Sequence, residues 1–468
     1  MKIKRIITTI ISAALIMGSL SGCGQAYEIA CPAVTAEPTK KVEVTPMPNV
    51  KIDDLVKSQV LSKAEYPEQA KYPEQNSENY WNEYEAWIKN FNTDREVIYK
   101  EEMEHFFNKL APLMNELNAG ENVVYSPMNL WFALSLLAET TAGNTKNQIL
   151  SVLGTDADNL VATANNMWIN NYRDDGLVTS TLGNSIWLRN DTTYVKETVE
   201  KLARDYYASS FAGDMGSKEY SAELQKWLNE NTGNLLQNEA SQVEFKNDVA
   251  FALASTIYFK APWREEFNKF RTEKKTFHGA SSDKEIDFLN RKDEGVLYYG
   301  KGFTAYRKPF AEQGGGMWFI LPDEGTTPEK MISEGKYTKL LFGDTIDLQY
   351  FRGDINLSVP KFDVSYMTDV KDVFSEMGIT DVVIPGKADF NPIIGKNSDI
   401  ALSEALHAAR VKIDEEGVEA AAFTVMMMKN TAIMQTKEVD FVLDRPFVFI
   451  VTNRDNVPTF VGTVNNPE

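Results

Sequence analysis

Few residues of this chain could do chemistry. Of its 468 residues, two are cysteine and three are histidine. Cys23 and Cys31 both precede the part with a folding pattern, so the body can build neither a thiolate nucleophile, nor a structural zinc site, nor a disulfide framework. His105 lies in an amphipathic stretch and His407 in "SEALHAARV", positions that suit packing or hydrogen bonding better than general-base work; the third is His278. No HExxH, GxSxG, Walker loop or GxGxxG occurs. The one hit is "SVPK" (Ser358 to Lys361), which matches the Ser-x-x-Lys of certain serine hydrolases. That chemistry needs serine and lysine one helical turn apart at a helix start. Here a proline separates them inside an alternating strand pattern, and no KTG accompanies them. A serine hydrolase is therefore a remote alternative, and the residues point to a non-enzyme with no metal and no cofactor.

Charge narrows the partners. Lys and Arg total 48 against 67 Asp and Glu, a net charge of -19, so a polyanion is repelled and nucleic acid is excluded as a natural ligand. "MKIKR" followed by "IITTIISAALIMG" and "LSGC" (Leu20 to Cys23) reads as a bacterial lipoprotein signal, a basic segment, a short apolar segment and a lipobox. Residues 1–22 are then removed, and Cys23 carries the lipid and anchors the protein outside the cell membrane. No later run reaches the roughly 18 consecutive apolar residues of a membrane helix.

The elements that must position any site follow from periodicity. Residues 23–76, rich in Pro, Glu, Lys and Thr with a repeated Tyr-Pro-Glu-Gln, predict a flexible stalk, and 77–468 a folded domain. Trp81, Tyr84, Ile88 and Phe91 recur at helical spacing, as do Met103, Phe106, Leu110, Leu113 and Leu117. Asn129 to Gly154 predicts two helices about a turn, ended by Gly154. "VAFALASTIYF" (Val249 to Phe259) predicts a central strand. Further strands are predicted at Gly316 to Pro322, Ile355 to Val364, Val439 to Asn453 and Pro458 to Val464. Helices crowd the first half and strands the second, an α+β pattern with a large sheet.

One run fits two structures. "IDEEGVEAAAFTVMMMKN" (Ile413 to Asn430) is rich in helix formers, yet it also alternates as a strand. Val418, Ala420, Ala422, Thr424, Met426 and Met428 share one face, small or apolar throughout; Glu419, Phe423 and Lys429 fall on the other.

These motifs together resemble a serpin. "IDEEGVEAAAFT" is similar to the serpin hinge, "FVLDRPFVFIV" (Phe441 to Val451) to the C-terminal signature and "FVGTVNNP" (Phe460 to Pro467) to the closing strand. "NVVYSPMNLWFALSLLAETTAGNTKNQILSVLG", "STIYFKAPWREEF" and "FILPDEG" fall in the family's order, and the likeness covers roughly Val97 to Glu468. The resemblance implies helices packed on a large central sheet, smaller sheets, and an exposed reactive-centre loop at about 415–440. It implies a metastable, monomeric, suicide-type inhibitor: a protease cleaves the loop, the hinge side inserts into the main sheet, and the acylated protease is trapped in a covalent 1:1 complex.

The same resemblance assigns sites. The hinge is Glu415, Glu416, Gly417, Val418, Glu419, Ala420, Ala421 and Ala422. Ser126, Asn129, Ser255 and His407 are implied to hold the central strands together, and Trp263 to sit where insertion begins. Asn129 and Ser255 stand where the family carries Ser and Asn, which suggests an amide and a hydroxyl exchanged within one hydrogen-bonding site. By the family's spacing the bait bond is Thr431–Ala432, with bonds up to 435 open. Small or apolar residues there favour an elastase-like or subtilisin-like serine protease over a trypsin-like one. The alternative is a non-inhibitory surface-binding lipoprotein with the same fold.

Overall fold

The computed structural model describes residues 58–74, 76–92, 96–116, 119–343, 348–395, 400–419 and 437–467. Within them the strands are β1 (Ser58–Ser62), β2 (Val123–Tyr125), β3 (Arg173–Asp174), β4 (Thr179–Arg189), β5 (Ala208–Gly213), β6 (Phe251–Pro262), β7 (Glu273–His278), β8 (Asp283–Gly300), β9 (Phe303–Pro309), β10 (Gly316–Pro322), β11 (Gln349–Pro360), β12 (Phe362–Asp369), β13 (Glu404–Ile413), β14 (Gly417–Val418), β15 (Glu438–Val442), β16 (Phe447–Thr452) and β17 (Pro458–Val464). The helices are α1 (Tyr80–Asn92), α2 (Lys100–Glu116), α3 (Pro127–Thr140), α4 (Gly143–Leu153), α5 (Leu160–Asn171), α6 (Lys196–Tyr206), α7 (Lys218–Glu230), α8 (Gln237–Ala240), α9 (Pro328–Ser333), α10 (Lys371–Glu376) and α11 (Asn391–Ile394). None of these helices is long and apolar enough to cross a membrane.

One sheet runs in the order β1-β5-β4-β6-β14-β13-β12, with β3 added on β4; the other runs β15-β11-β8-β9-β10-β16-β17-β2, with β7 added on β8. Helix α3 is the central support. Its sequence is apolar all round, so it buries every residue but Glu139. Ser126 caps its start by accepting from Asn129 N at 3.1 Å, and Pro127 fits the first turn. Helix α4 ends where Gly154 takes φ 74 and its N–H returns to Leu150 O, a left-handed cap that favours glycine.

The first sheet is buried on both sides over its middle. One side lies on the main core around α3. On the other, Trp187, Tyr220, Leu224, Leu228, Ala252 and Ala254 form a second core in which α7 takes part.

Three expectations change. The apparent strand from Ile355 to Val364 is two strands: β11 belongs to one sheet and β12 to the other, broken at Lys361. Periodicity cannot see this, because the alternation continues through the crossing. The stretch read as stalk is packed from Ser58 onward: β1 pairs antiparallel with β5, Tyr66 packs at a tilt against Trp168, Tyr172 and Tyr207, and Tyr72 N donates to Asp175 O at 2.7 Å. Helix α1 packs Tyr84, Ile88 and Phe91 against the core as expected, but it also buries Trp87 and leaves Trp81 74% exposed, so the stripe starts one turn later than expected.

Candidate functional site

Strands β6 and β13 meet along a seam. In its lower part they pair directly and in parallel, from Glu404↔Ala252 to Ala408↔Thr256. At its upper end β14 stands between them, with Gly417 opposite Pro262 and Val418 opposite both Ala261 and Ile413. Val418 is 1% exposed there, a β-branched apolar residue filling the notch.

A turn feeds the hinge into that notch. Asp414 Oδ1 accepts from Glu416 N at 2.8 Å and Gly417 N at 3.1 Å, the local bonding that makes aspartate a turn former. The strand-to-loop segment after β6 grips the outside of the turn: Trp263 N donates to Glu416 O and Phe267 N to Glu415 O, both at 2.9 Å, and Trp263 Nε1 donates to Asp414 O at 3.0 Å. The carboxylates add ion pairs. Glu415 Oε1 lies 2.7 Å from Lys361 Nζ and accepts from Thr272 Oγ1 at 2.7 Å. Burial alone would raise its carboxyl, but the bonds from Lys361 and Thr272 hold it below the usual range. Glu416 pairs with Lys269 at 2.6 Å across an exposed surface, where it adds little stability. Beneath Trp263 the buried Lys308 pairs with Asp293 at 2.9 Å and faces the Phe267 ring at 4.5 Å.

The lower seam is held from below by polar side chains. His407 is fully buried; its Nε2 accepts from Ser126 N at 3.0 Å, so its proton sits on Nδ1. Burial lowers its pKa to about 3, which keeps the ring neutral. Ser255 Oγ donates to the main-chain carbonyl of Asn129 at 3.5 Å, and Asn184 Nδ2 donates to Asn129 Oδ1 at 3.3 Å. Three buried polar atoms here, Asn129 Nδ2, Asn184 Oδ1 and His407 Nδ1, have no partner among the described residues.

Ser126, Asn129, Ser255 and His407 thus come together, and Trp263 meets the hinge turn at Asp414 and Glu416, while Glu415 bonds to Phe267 and Gly417 and Val418 pair with the end of β6. Asn129 and Ser255 do touch, but through the Asn129 carbonyl, while its side-chain amide turns to Asn184. Ala420, Ala421, Ala422, the bond Thr431–Ala432 and the lipid site Cys23 lie outside the described residues. Ser358 and Lys361 do not face each other: Ser358 Oγ donates to Asn290 Oδ1 at 2.8 Å and accepts from Lys275 Nζ, while Lys361 serves Glu415.

Sequence reasoning missed Asn184, Lys361, Lys269 and Thr272. Asn184 carried a faint signal, a carboxamide in the middle of "LGNSIWL". The lysines and Thr272 carried none, since their partners are remote in sequence.

The family model described as Serpin (serine protease inhibitor) matches residues 101–467. Serpin-ZX of Arabidopsis thaliana is 26% identical over 377 residues, covering 77% of this chain and 96% of the relative. Serpin-Z10 of the same plant is 29% identical over 367 residues, covering 74% and 92%. Among solved structures, the thermophilic serpin tengpin in its native state matches with a TM-score of 0.71 at 22% identity, over 80% of this chain and 96% of that one. Human thyroxine-binding globulin in complex with thyroxine matches with a TM-score of 0.68 at 20% identity, over 80% and 100%. The fold is the α+β serpin fold, and this chain belongs to the serpin family.

Proposed function

We propose that the protein is a suicide-type inhibitor of elastase-like or subtilisin-like serine proteases. The protease serine attacks the carbonyl of Thr431, the bond to Ala432 breaks, and the new amine leaves while the ester stays on Thr431. The hinge side then enters the seam and carries the acylated protease away before water reaches the ester.

The observation that carries this reading is the seam itself, already parted by two hinge residues at its top and closed below. Continuing the register of Val418 against Ala261 and Ile413 sets Ala420 beside Phe259 and Val411, Ala422 beside Ile257 and Ala409, and Met426 beside Leu253 and Ala405. All six neighbours are buried in the main core. Thr424 falls between Ser255 and His407, bringing a hydroxyl to a place short of hydrogen-bond partners. The opposite row is not solvent-facing throughout: Val425 and Met427 fall beside Ala254, Leu406 and Ala252, in the second core with α7. An apolar outer face at these positions is what that cover requires.

The test is a denaturing gel after mixing with elastase, subtilisin, trypsin and papain. A band that survives denaturant at the summed mass supports the trap. Clean loop cleavage by every protease, with no gain in thermal resistance, moves the reading to a serpin-fold binding protein, for which thyroxine-binding globulin is the precedent. We further propose export and anchoring through lipid on Cys23, supported by the leader-like sequence before it; metabolic labelling with a tagged fatty acid, lost in Cys23→Ser, tests that separately.

A further inference from the structure

We propose that Glu419 is a pH-sensitive catch of the hinge: uncharged it rests where β14 ends, and ionised it advances into the seam between Lys260 and Lys412. This rests on the inhibitory reading and adds a control to it.

Glu419 is the first residue past β14. Its φ is 50, a left-handed backbone that strains a non-glycine residue. Its N–H still reaches Lys412 O at 3.2 Å, so the backbone is one residue short of continuing the strand. The carboxyl is half-buried, and its Oε1 has no hydrogen-bond partner among the described residues.

The charged and titratable groups facing it are Arg410 and Lys412 from β13, Asp363 from β12, and Lys260 and Tyr258 from β6. Arg410 is already engaged by Asp363 through two bonds of 2.7 and 2.6 Å. Lys412 has only a 3.8 Å contact with Asp363, and Lys260 has no ion-pair partner among the described residues. Burial pushes the Glu419 carboxyl up to about 7; Arg410 opposes this, Asp363 adds to it, and Lys412 and Lys260 oppose it weakly.

Extending β14 by one residue in its present register changes all of this. Residues opposite one another on adjacent antiparallel strands share a face with Cβ atoms about 5 Å apart. Continuing from Val418, position 419 falls opposite both Lys260 and Lys412. The advance relieves the left-handed backbone and gives the carboxylate two ammonium neighbours. The resting hinge therefore holds a proton up to about pH 7 that the advanced hinge has released, so raising the pH favours insertion. A single such group changes the balance up to about tenfold between pH 6 and pH 8.

The test compares insertion rates of the full chain after cleavage by saturating subtilisin, read by tryptophan fluorescence, in wild type, Glu419→Gln and Glu419→Gly. The protease's own pH dependence cancels in the ratio of wild type to variant. That ratio is expected to rise several-fold from pH 6 to pH 8 for both variants, glycine being suited to the left-handed backbone should glutamine disturb the hinge. A Lys260→Gln/Lys412→Gln double variant is expected to flatten the profile. A ratio unchanged across pH overturns the proposal. Cleaved wild type that gains no thermal resistance at any pH overturns instead the inhibitory reading beneath it.

Discussion

The upper and lower parts of one seam are built on different principles. Above, the hinge turn is gripped by main-chain bonds to Trp263 and Phe267 and by the pairs Glu415–Lys361 and Glu416–Lys269. Below, neutral side chains do the holding, and three buried polar atoms among them have no partner among the described residues. An unpartnered buried group costs roughly 1–3 kcal/mol. The contrast is one of kind: the top is already open and held by main-chain bonds and ion pairs, with Glu419 Oε1 unpartnered among the described residues where β14 ends, whereas the bottom is closed and held by neutral side chains. A strand arriving from above finds better terms the deeper it goes.

The widest break in that comparison is a charge at the meeting point. Val418→Arg is expected to abolish the covalent complex and leave a substrate, because an uncompensated buried charge costs about 3–5 kcal/mol, enough to shift the partition between trapping and hydrolysis more than a hundredfold. Since Val418 is buried in the resting protein too, the same change should expel β14 and lower resting stability by roughly 1.5–3 kcal/mol, a second effect that the residue's place in the sequence did not foretell. Gel analysis of the complex and urea unfolding read the two separately.

Next in size is the upper latch. Glu415→Gln removes the charge facing Lys361, which is about a third exposed, so the expected effect is a loss of roughly 1–2 kcal/mol of unfolding free energy, read as a lower urea midpoint, and a faster spontaneous conversion. Equal conversion rates in variant and wild type would show that the latch does not restrain the seam.

The lower part answers to pH. His407 is held at about 3 against a usual 6.5, so the unfolded chain binds a proton that the fold refuses. Stability contributed by the neutral ring is complete above about pH 6.5 and is lost as pH falls toward 3, by at most ~1.4 kcal/mol per unit. His407→Gln is expected to flatten that slope in acid unfolding; a slope that persists unchanged would assign it to other groups.

What the sequence disclosed differs between the two parts. Ser126, Asn129, Ser255 and His407 were legible only through the resemblance to the serpin family; their local sequence by itself marked His407 as no more than a packing or hydrogen-bonding residue. The upper latch was only half legible: the hinge acids stand in the motif, but Lys361, Lys269 and Thr272 are ordinary surface-type residues until folding brings them to Glu415 and Glu416. The large sheet followed from its apolar strands. The crossing at Lys361 and the docking of residues 58–74 did not, because alternation is blind to which sheet a strand joins and a polar segment can pack through a few tyrosines.

The smallest effect decides how the lower part is wired. The exchange of Asn129 and Ser255 predicts that Asn129→Ser alone destabilises more than the double exchange with Ser255→Asn. The geometry redirects that expectation: Ser255 holds the Asn129 carbonyl, which any residue at 129 supplies, whereas the Asn129 side chain faces Asn184. Effects at 129 and 255 should therefore add within about 0.5 kcal/mol, while Asn129→Ser and Asn184→Ser should couple by about 0.5–1 kcal/mol or more, as residues in one buried network do. Coupling confined to the 129–255 pair would restore the exchange and make Asn184 a bystander.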